Sequence, residues 1–369
     1  MKYYDAFCGI GGFHIAMSRL GHECVGACDI DKNCREVYFQ NHGIKPEGDI
    51  KKITEFPDFD ILCSGNPCTS FSNAGKKGGM GDYRGQLFNE VFRVAKLKKP
   101  KYMFLENVKH IKKIDNGKIF DFICKEIKDA GYQLQTFELS PHQLGIPQHR
   151  ERVIFACVRE DIFKGTINLI TKCTPRDIFE KNVQGYNISE EQNNILEVWD
   201  IMIKSFEVNE TISPAILINE MYSEKTVLVK WESDYIKKFK RLYDKYKDDW
   251  DEWYLVFQEI IQLKKIYGKL EWQVGKIKPD DSIFNYFIQF RQSGIRVKKT
   301  DYFPTLVAIV QTPIYGKERR YLTPRECARL QSFPDDFSLH SSDKIAYKQL
   351  GNAVNVDVVF TVISQIILI

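Results

Sequence analysis

Between residues 1 and 160, short apolar runs alternate with segments whose apolar residues fall three and four apart. The runs KYYDAF, ECVGACDI, FDILCSG, KYMFLEN, QLQTFELS and RVIFACV predict strands, and DKNCREVYFQN, GQLFNEVFRVAKLKK and GKIFDFICKEIKDAG between them predict helices. Such alternation requires crossover connections, so the expected class is α/β, with a parallel or mixed sheet covered on both faces. Ligands of these sheets bind beyond the carboxyl ends of the strands. Asp29, Cys68 and Glu106 are expected at or just past those ends.

The pattern changes from about Lys172 to Tyr315. All five tryptophans fall in this stretch, and DDWDEWYLVFQEIIQLKK predicts a helix with Trp250, Trp253, Tyr254, Phe257 and Ile261 along one face. That face reads as the local core of an inserted second domain, in preference to a ligand-stacking surface. The 369 residues suffice for one large and one smaller domain. A net charge of +4 is compatible with a polyanionic partner without demanding one. No signal peptide is read, since KYYDAF follows Met1 directly, and VNVDVVFTVISQIILI is too short and too interrupted by polar residues to span a bilayer. Ten cysteines then read as reduced thiols. His22, Cys24, Cys28 and Cys34 match no standard zinc spacing, and no metal is expected.

Several short motifs carry chemistry. DAFCGIGGFH joins a strand to a helix through Gly9, Gly11 and Gly12, which lets backbone amides approach a ligand. His14 stands where the dinucleotide fingerprint would need glycine, so NAD is not expected. Asp29, at the end of the next strand, suits the ribose hydroxyls of an adenosine-containing cofactor, and Asp49 in EGDI suits the adenine edge. Asp29 also reads as a solvated strand-end acid. Cys68 follows Pro67 in GNPCTSFSNAGKKGG and is either a nucleophile on a loop or one thiol of ten. Glu106 closes KYMFLEN, where partial burial would raise its pKa and fit it for general acid work, or it caps the turn. In PQHRERVIF, Arg150 and Arg152 occupy alternate positions of an expected strand start. They read as a pair on one face for a carbonyl oxygen or phosphate, or as surface charges. LTPRECARLQ predicts a helix after Thr323, and YKQLGNAVNVDVVF predicts a tight turn at Gly351–Asn352.

In this order the motifs closely resemble those of the bacterial DNA (cytosine-5)-methyltransferases. DAFCGIGGFH, CDIDKNCREVYFQNHG, PEGDI, DILCSGNPCTSFSNAGKKGG, RGQLFNEVFRV, FLENV, GIPQHRERVIF, LTPRECARLQSFP and YKQLGNAVNVDVV look like successive family motifs over roughly residues 1–160 and 318–360. The stretch between is where that family keeps its variable target-recognition region. The resemblance implies a Rossmann-like, S-adenosylmethionine-dependent sheet with a smaller inserted target-recognition domain. It places the catalytic and cofactor-binding domain at 1–170, completed by 337–369, and the small domain at 171–336. It implies cofactor contacts from Phe7, Gly9, Ile10, Gly11, Gly12, Asp29, Ile30, Asp49, Ile50, Pro67, Leu87, Asn352 and Ala353, with Phe7 stacked on adenine. Ser72, Lys76, Lys77 and Arg84 are the implied DNA contacts. Asn66 and Thr69 depart from the family, which often has Phe, Pro or Ser at the first position and Gln at the second. The expected effect is on base-pocket fit or flanking DNA contacts, since neither supplies the nucleophile.

The implied reaction is transfer of a methyl group from S-adenosylmethionine to carbon 5 of cytosine in a specific duplex sequence. Cys68 adds covalently to a flipped-out base, Glu106 donates to ring nitrogen 3, Arg152 holds the carbonyl and Arg150 supports the loop or an adjacent phosphate. Double-stranded DNA is the expected partner, alongside a restriction endonuclease. A monomer in the cytoplasm, acting on nucleoid DNA and without a membrane, is expected. Two other readings stay open: the same chemistry on RNA, and an α/β protein using its cysteines structurally or in redox work. The long insert favours DNA, because a duplex-sequence reader needs such a surface.

Overall fold

A computed structural model describes residues 1–66, 86–159, 168–173, 176–212, 216–217, 230–261, 265–309 and 311–367. The chain divides into two compact units. The first comprises Met1–Phe179, Thr305–Val310 and Pro324–Ile369, and the second Glu180–Pro304 and Gln311–Thr323.

The first unit is built on strands β1 (Lys2–Ala6), β2 (Glu23–Cys28), β3 (Ile61–Ser64), β4 (Tyr102–Val108), β5 (Tyr132–Leu139) and β6 (Arg152–Arg159), in the order β2-β1-β3-β4-β6-β5. β1 to β4 run parallel, while β6 is antiparallel to both β4 and β5. All six expected strands are present, and the sheet is mixed. The helices form where the apolar spacing puts them. α1 (Gly12–Arg19) follows the glycine turn, and α2 (Lys32–His42) begins at Asp31, whose side chain accepts from Asn33 N. α2 ends at Gly43, with φ of 70°, a left-handed stop that glycine reaches without steric cost. α3 (Gln86–Lys98) comes next. α4 (Lys118–Asp129) buries Ile119, Ile123 and Ile127, four residues apart on one face. β3 is buried throughout, as a strand covered on both faces must be.

The second unit holds α5 (Glu190–Ser205), α6 (Lys230–Lys245) and α7 (Lys247–Ile261). Its strands are β7 (Ile216–Leu217), β8 (Lys269–Gln273), β9 (Phe287–Arg291), β10 (Gly294–Lys298), β11 (Ile314–Tyr315) and β12 (Arg320–Tyr321). They form a second sheet of order β12-β11-β9-β10-β8-β7. Trp199, Trp250, Trp253 and Phe257 sit in its core, and two indoles donate to backbone, Trp199 Nε1 to Tyr267 O and Trp253 Nε1 to Val198 O. The aromatic face of α7 is therefore core, as the sequence reading preferred.

Helices α8 (Pro324–Leu330), α9 (Asp343–Asn352) and α10 (Val356–Ile367) complete the first unit. Two expectations change here. Residues 171–179, 305–310 and 324–336, expected in the small domain, cluster with the first unit, and polar groups tie 324–336 to neighbouring segments of that unit. Gln331 Nε2 donates to Leu350 O at 2.8 Å, and Arg329 Nη1 donates to Ile178 O and Phe179 O at 3.1 Å each. The expected turn at Gly351–Asn352 is instead the last turn of α9. Glycine is needed at 351 for close approach: a Cβ there would lie 2.4 Å from the backbone carbonyl of Val307. The apolar C-terminal stretch is the core helix α10, with Val356, Val358, Val359, Val362, Ile363 and Ile366 buried.

Candidate active site

The turn after β1 supports one end of the site. Phe7 and Gly9 have φ of 54° and 53°, so the chain leaves the strand through two left-handed residues. Gly9 N donates to Asp29 Oδ2 at 2.8 Å, and Cys8 N donates to Cys28 O, locking the turn to the end of β2. The three glycines serve different needs. A Cβ on Gly9 would meet nothing within 4 Å, so the space on that side of the turn is open. On Gly11 a Cβ would lie 2.2 Å from His42 Nε2, and on Gly12 2.4 Å from Val354 O. No neighbour constrains the Cβ position of Gly9, while His42 and Val354 hold positions 11 and 12 to glycine.

His42 stands out only in the structure. It stacks on His14 with ring centroids 3.9 Å apart, and its Nε2 lies 3.3 Å from Ile10 O. His14 Nδ1 in turn meets the Tyr38 hydroxyl at 2.8 Å. Burial lowers both imidazoles, His14 to about 3, helped by His42, and His42 to about 4, so both are neutral near pH 7. In sequence, His42 is simply the last residue of a helix before a glycine stop.

Asp29 has both carboxylate oxygens engaged, Oδ2 with Gly9 N and Oδ1 with Asp31 N, each at 2.8 Å. Each oxygen keeps a further lone pair for another donor. Burial holds this carboxyl above its usual range against those two bonds. Ile30 beside it is 68% exposed, an apolar side chain presented at a strand end. Asp49 is half-buried and accepts from Lys51 N at 3.1 Å, opening the short helical turn that Ile50 begins and anchors with its buried side chain. Leu87 is half-buried near the start of α3, Asn352 is exposed, and Ala353 is buried. The Asp29 carboxylate with its remaining lone pairs, the exposed Ile30 and the half-buried Phe7 lie around a turn whose Gly9 has no neighbour at its Cβ position, an arrangement that fits an adenosyl group. Among the described residues, no three His, Cys, Asp or Glu side chains are placed to hold a metal.

The second end of the site follows from strand register. Glu106 pairs with Ile154 and Val108 with Arg152 across antiparallel β4 and β6. Glu106 and Arg152 are thus diagonal neighbours on one sheet face, within reach of long side chains. Arg152 Nε lies 2.8 Å from Glu106 Oε1, with both side chains about nine-tenths buried. The contact is an ion pair without hydrogen-bond alignment, and Oε1 accepts no hydrogen bond from the described residues. Asn66, at the end of β3, is buried. Its Oδ1 accepts from the Ser64 hydroxyl and its carbonyl from Asn107 Nδ2, while Nδ2 has no partner among the described residues.

Arg150 is placed differently from the expectation. The strand begins at Arg152, so the two arginines do not share a strand face. The Arg150 guanidinium is 2% exposed and donates to Leu306 O at 2.7 Å, Gly351 O at 3.1 Å and Ala353 O at 3.0 Å. It fastens backbone, and a buried cation so engaged is not offered to a phosphate. Pro67, Cys68, Thr69, Ser72, Lys76, Lys77 and Arg84 lie outside the described residues.

A sequence model of C-5 cytosine-specific DNA methylases matches residues 1–368. The chain is 32% identical to the Type II methyltransferase M.HhaI of Haemophilus parahaemolyticus over 360 residues, which cover 97% of this chain and 91% of that one. It is 30% identical to the Type II methyltransferase M.BanI of Aneurinibacillus aneurinilyticus, covering 99% and 95%. Among solved structures, a putative DNA modification methyltransferase encoded within an E. coli prophage shares the fold. Its TM-score is 0.58 at 17% identity, covering 99% of each chain.

Proposed function

The chain belongs to the C-5 cytosine-specific DNA methylase family, and from that premise we propose a covalent route for its methyl transfer. The observation that carries the proposal is the Glu106–Arg152 pair at the end of β4. It sets a carboxyl group and a guanidinium side by side in a nearly buried place, where a base with a ring nitrogen and a carbonyl oxygen could meet both. The unpartnered Asn66 Nδ2 nearby in sequence to Cys68 adds a donor that a polar ligand would satisfy.

Carbon 5 of cytosine is a weak nucleophile, so the ring must be activated. The Cys68 thiolate forms a bond to carbon 6, and Glu106 gives a proton to nitrogen 3 as charge moves into the ring. Arg152 holds the carbonyl oxygen and steadies Glu106. The Gly9 turn, Asp29, Ile30 and Asp49 would hold S-adenosylmethionine, which would supply an electrophilic methyl group and leave as S-adenosylhomocysteine. After carbon 5 is methylated its proton leaves to a base, the bond from sulfur to carbon 6 breaks, and Glu106 recovers its proton from nitrogen 3. Because these atoms are inaccessible in a stacked pair, the cytosine must be extruded, at about a few kcal/mol of lost stacking and pairing. Ser72, Lys76, Lys77 and Arg84 are proposed to contact the DNA around it. The enzyme is further proposed to work as a monomer on cytoplasmic, nucleoid DNA, paired with a restriction endonuclease.

The test uses duplex DNA carrying 5-fluorocytosine. The wild-type chain should form a denaturation-resistant adduct with it, and Cys68→Ser should form none while still binding DNA. Undiminished methylation by Cys68→Ser would end the covalent mechanism. Labelled methyl should reach duplex DNA and not tRNA.

A further inference from the structure

The second unit carries a cluster of charge that the catalytic proposal does not use. On β8, β9 and β10, alternate residues face the core: Leu270, Trp272, Ile288, Ile295 and Val297 are buried. The other face carries four cations and one acid, Lys269, Glu271, Arg291, Arg296 and Lys298, beside the buried Phe287 and Gln289 of β9. Arg296 stands directly opposite Glu271 on the parallel β10–β8 pair, and its Nε donates to Glu271 Oε2 at 2.9 Å. Arg291 Nη1 donates to the same oxygen at 3.0 Å, and Lys269 Nζ lies 3.2 Å from Oε1. Gly294, opposite Arg291, must be glycine, with φ of 122° and no room for a Cβ beside Lys269 O at 2.7 Å.

One carboxylate, 14% exposed, therefore orients two arginines that are each about a quarter exposed. Neither Nη group of Arg296 has a protein partner among the described residues. A guanidinium fixed through Nε presents a rigid fork of N–H donors. The Glu271 charge between the two arginines weakens their pull on a phosphate but leaves the direction of their N–H bonds intact. That favours a neutral acceptor pair, and in the major groove O6 and N7 of guanine are such a pair. Arg291 and Gly294 flank the two-residue turn of the β9–β10 hairpin, and a two-stranded ribbon fits that groove.

We propose that Arg296, positioned by Glu271 together with Arg291, reads a guanine in the DNA sequence that this enzyme methylates. This rests on the reading that the chain methylates duplex DNA, and the experiment separates the two. A duplex library randomised on both sides of a cytosine is treated with enzyme and labelled or unlabelled S-adenosylmethionine, and the methylated positions are sequenced after bisulfite conversion. The wild type should return one motif. Arg296→Lys keeps the charge and the reach to Glu271 but loses the fork, so guanine preference should fall about 5- to 150-fold at one position and hold elsewhere. Glu271→Gln should blur the same position. Uniform slowing on all sequences with a shallower salt dependence would make Arg296 a phosphate contact and overturn the proposal, as would an unchanged motif at unchanged rate. A wild type that methylates no duplex would remove the underlying reading and this one with it.

Discussion

Arg150→Met tests whether this arginine is a fastener or a catalytic group. Methionine keeps an unbranched stem and removes three hydrogen bonds, to Leu306 O, Gly351 O and Ala353 O, from a side chain that is 2% exposed. At about 1.5 kcal/mol for each bond to a charged donor the loss is about 4.5 kcal/mol, offset in part because the desolvation cost of a buried cation also disappears. A net loss of about 2–4 kcal/mol should lower Tm by roughly 5–10 °C in a unit of this size. Two of the three carbonyls flank Asn352, an implied cofactor contact, so the KM for S-adenosylmethionine should rise while kcat per folded molecule stays within a few-fold. Thermal denaturation, and initial rates taken well below the transition, supply both readouts. A variant with unchanged Tm and kcat reduced a hundredfold or more would refute the fastening role and return Arg150 to the substrate.

Two other substitutions probe the packing beside the site. Gly351→Ala should gain about 1 kcal/mol if helix propensity decided it. The 2.4 Å approach of its Cβ to the Val307 carbonyl predicts instead a loss of more than about 2 kcal/mol, and the sign of the Tm change separates the two. His42→Phe tests pH dependence. His42 and His14 are lowered to about 4 and about 3 by burial, so the unfolded chain binds more protons than the folded one from about pH 6.5 down towards those values. Stability attached to them is present above about pH 6.5 and lost as pH falls, at up to about 1.4 kcal/mol per pH unit for each group. His42→Phe should flatten part of that fall in denaturation curves between pH 6.5 and 4, and an identical pH slope would exclude His42 as a contributor.

The local parts of this fold could be read because their signals are local. Strand alternation, the apolar faces of α2, α3 and α4, and the acid at the end of β2 each depend on residues close in sequence. The glycines misled in part, because the reason for each lies elsewhere in the chain. Gly11 faces His42, Gly12 faces Val354, and Gly351 faces Val307. Their spacing shows that side chains are excluded, but not whether protein or ligand excludes them. The unit boundary failed for the same reason, since residues 324–336 are assigned by hydrogen bonds from Arg329 and Gln331 to carbonyls distant in sequence.

The two arginines show most clearly where sequence reasoning stops. Alternate positions share a face only if both lie in the strand, and β6 starts at the second of them. Which groups Arg152 then meets depends on the direction and register of β6 against β4. Antiparallel pairing of Val108 with Arg152 brings Glu106 into its diagonal reach. A parallel β6, like the strands on the other side of β4, would send Arg152 to the opposite end of the sheet, away from any ligand at the carboxyl ends of β1 to β4. The reversal of this one strand thus gives the acid its cation. It also leaves Arg150, two residues earlier, on the connecting backbone, where the carbonyls of Leu306, Gly351 and Ala353 hold it.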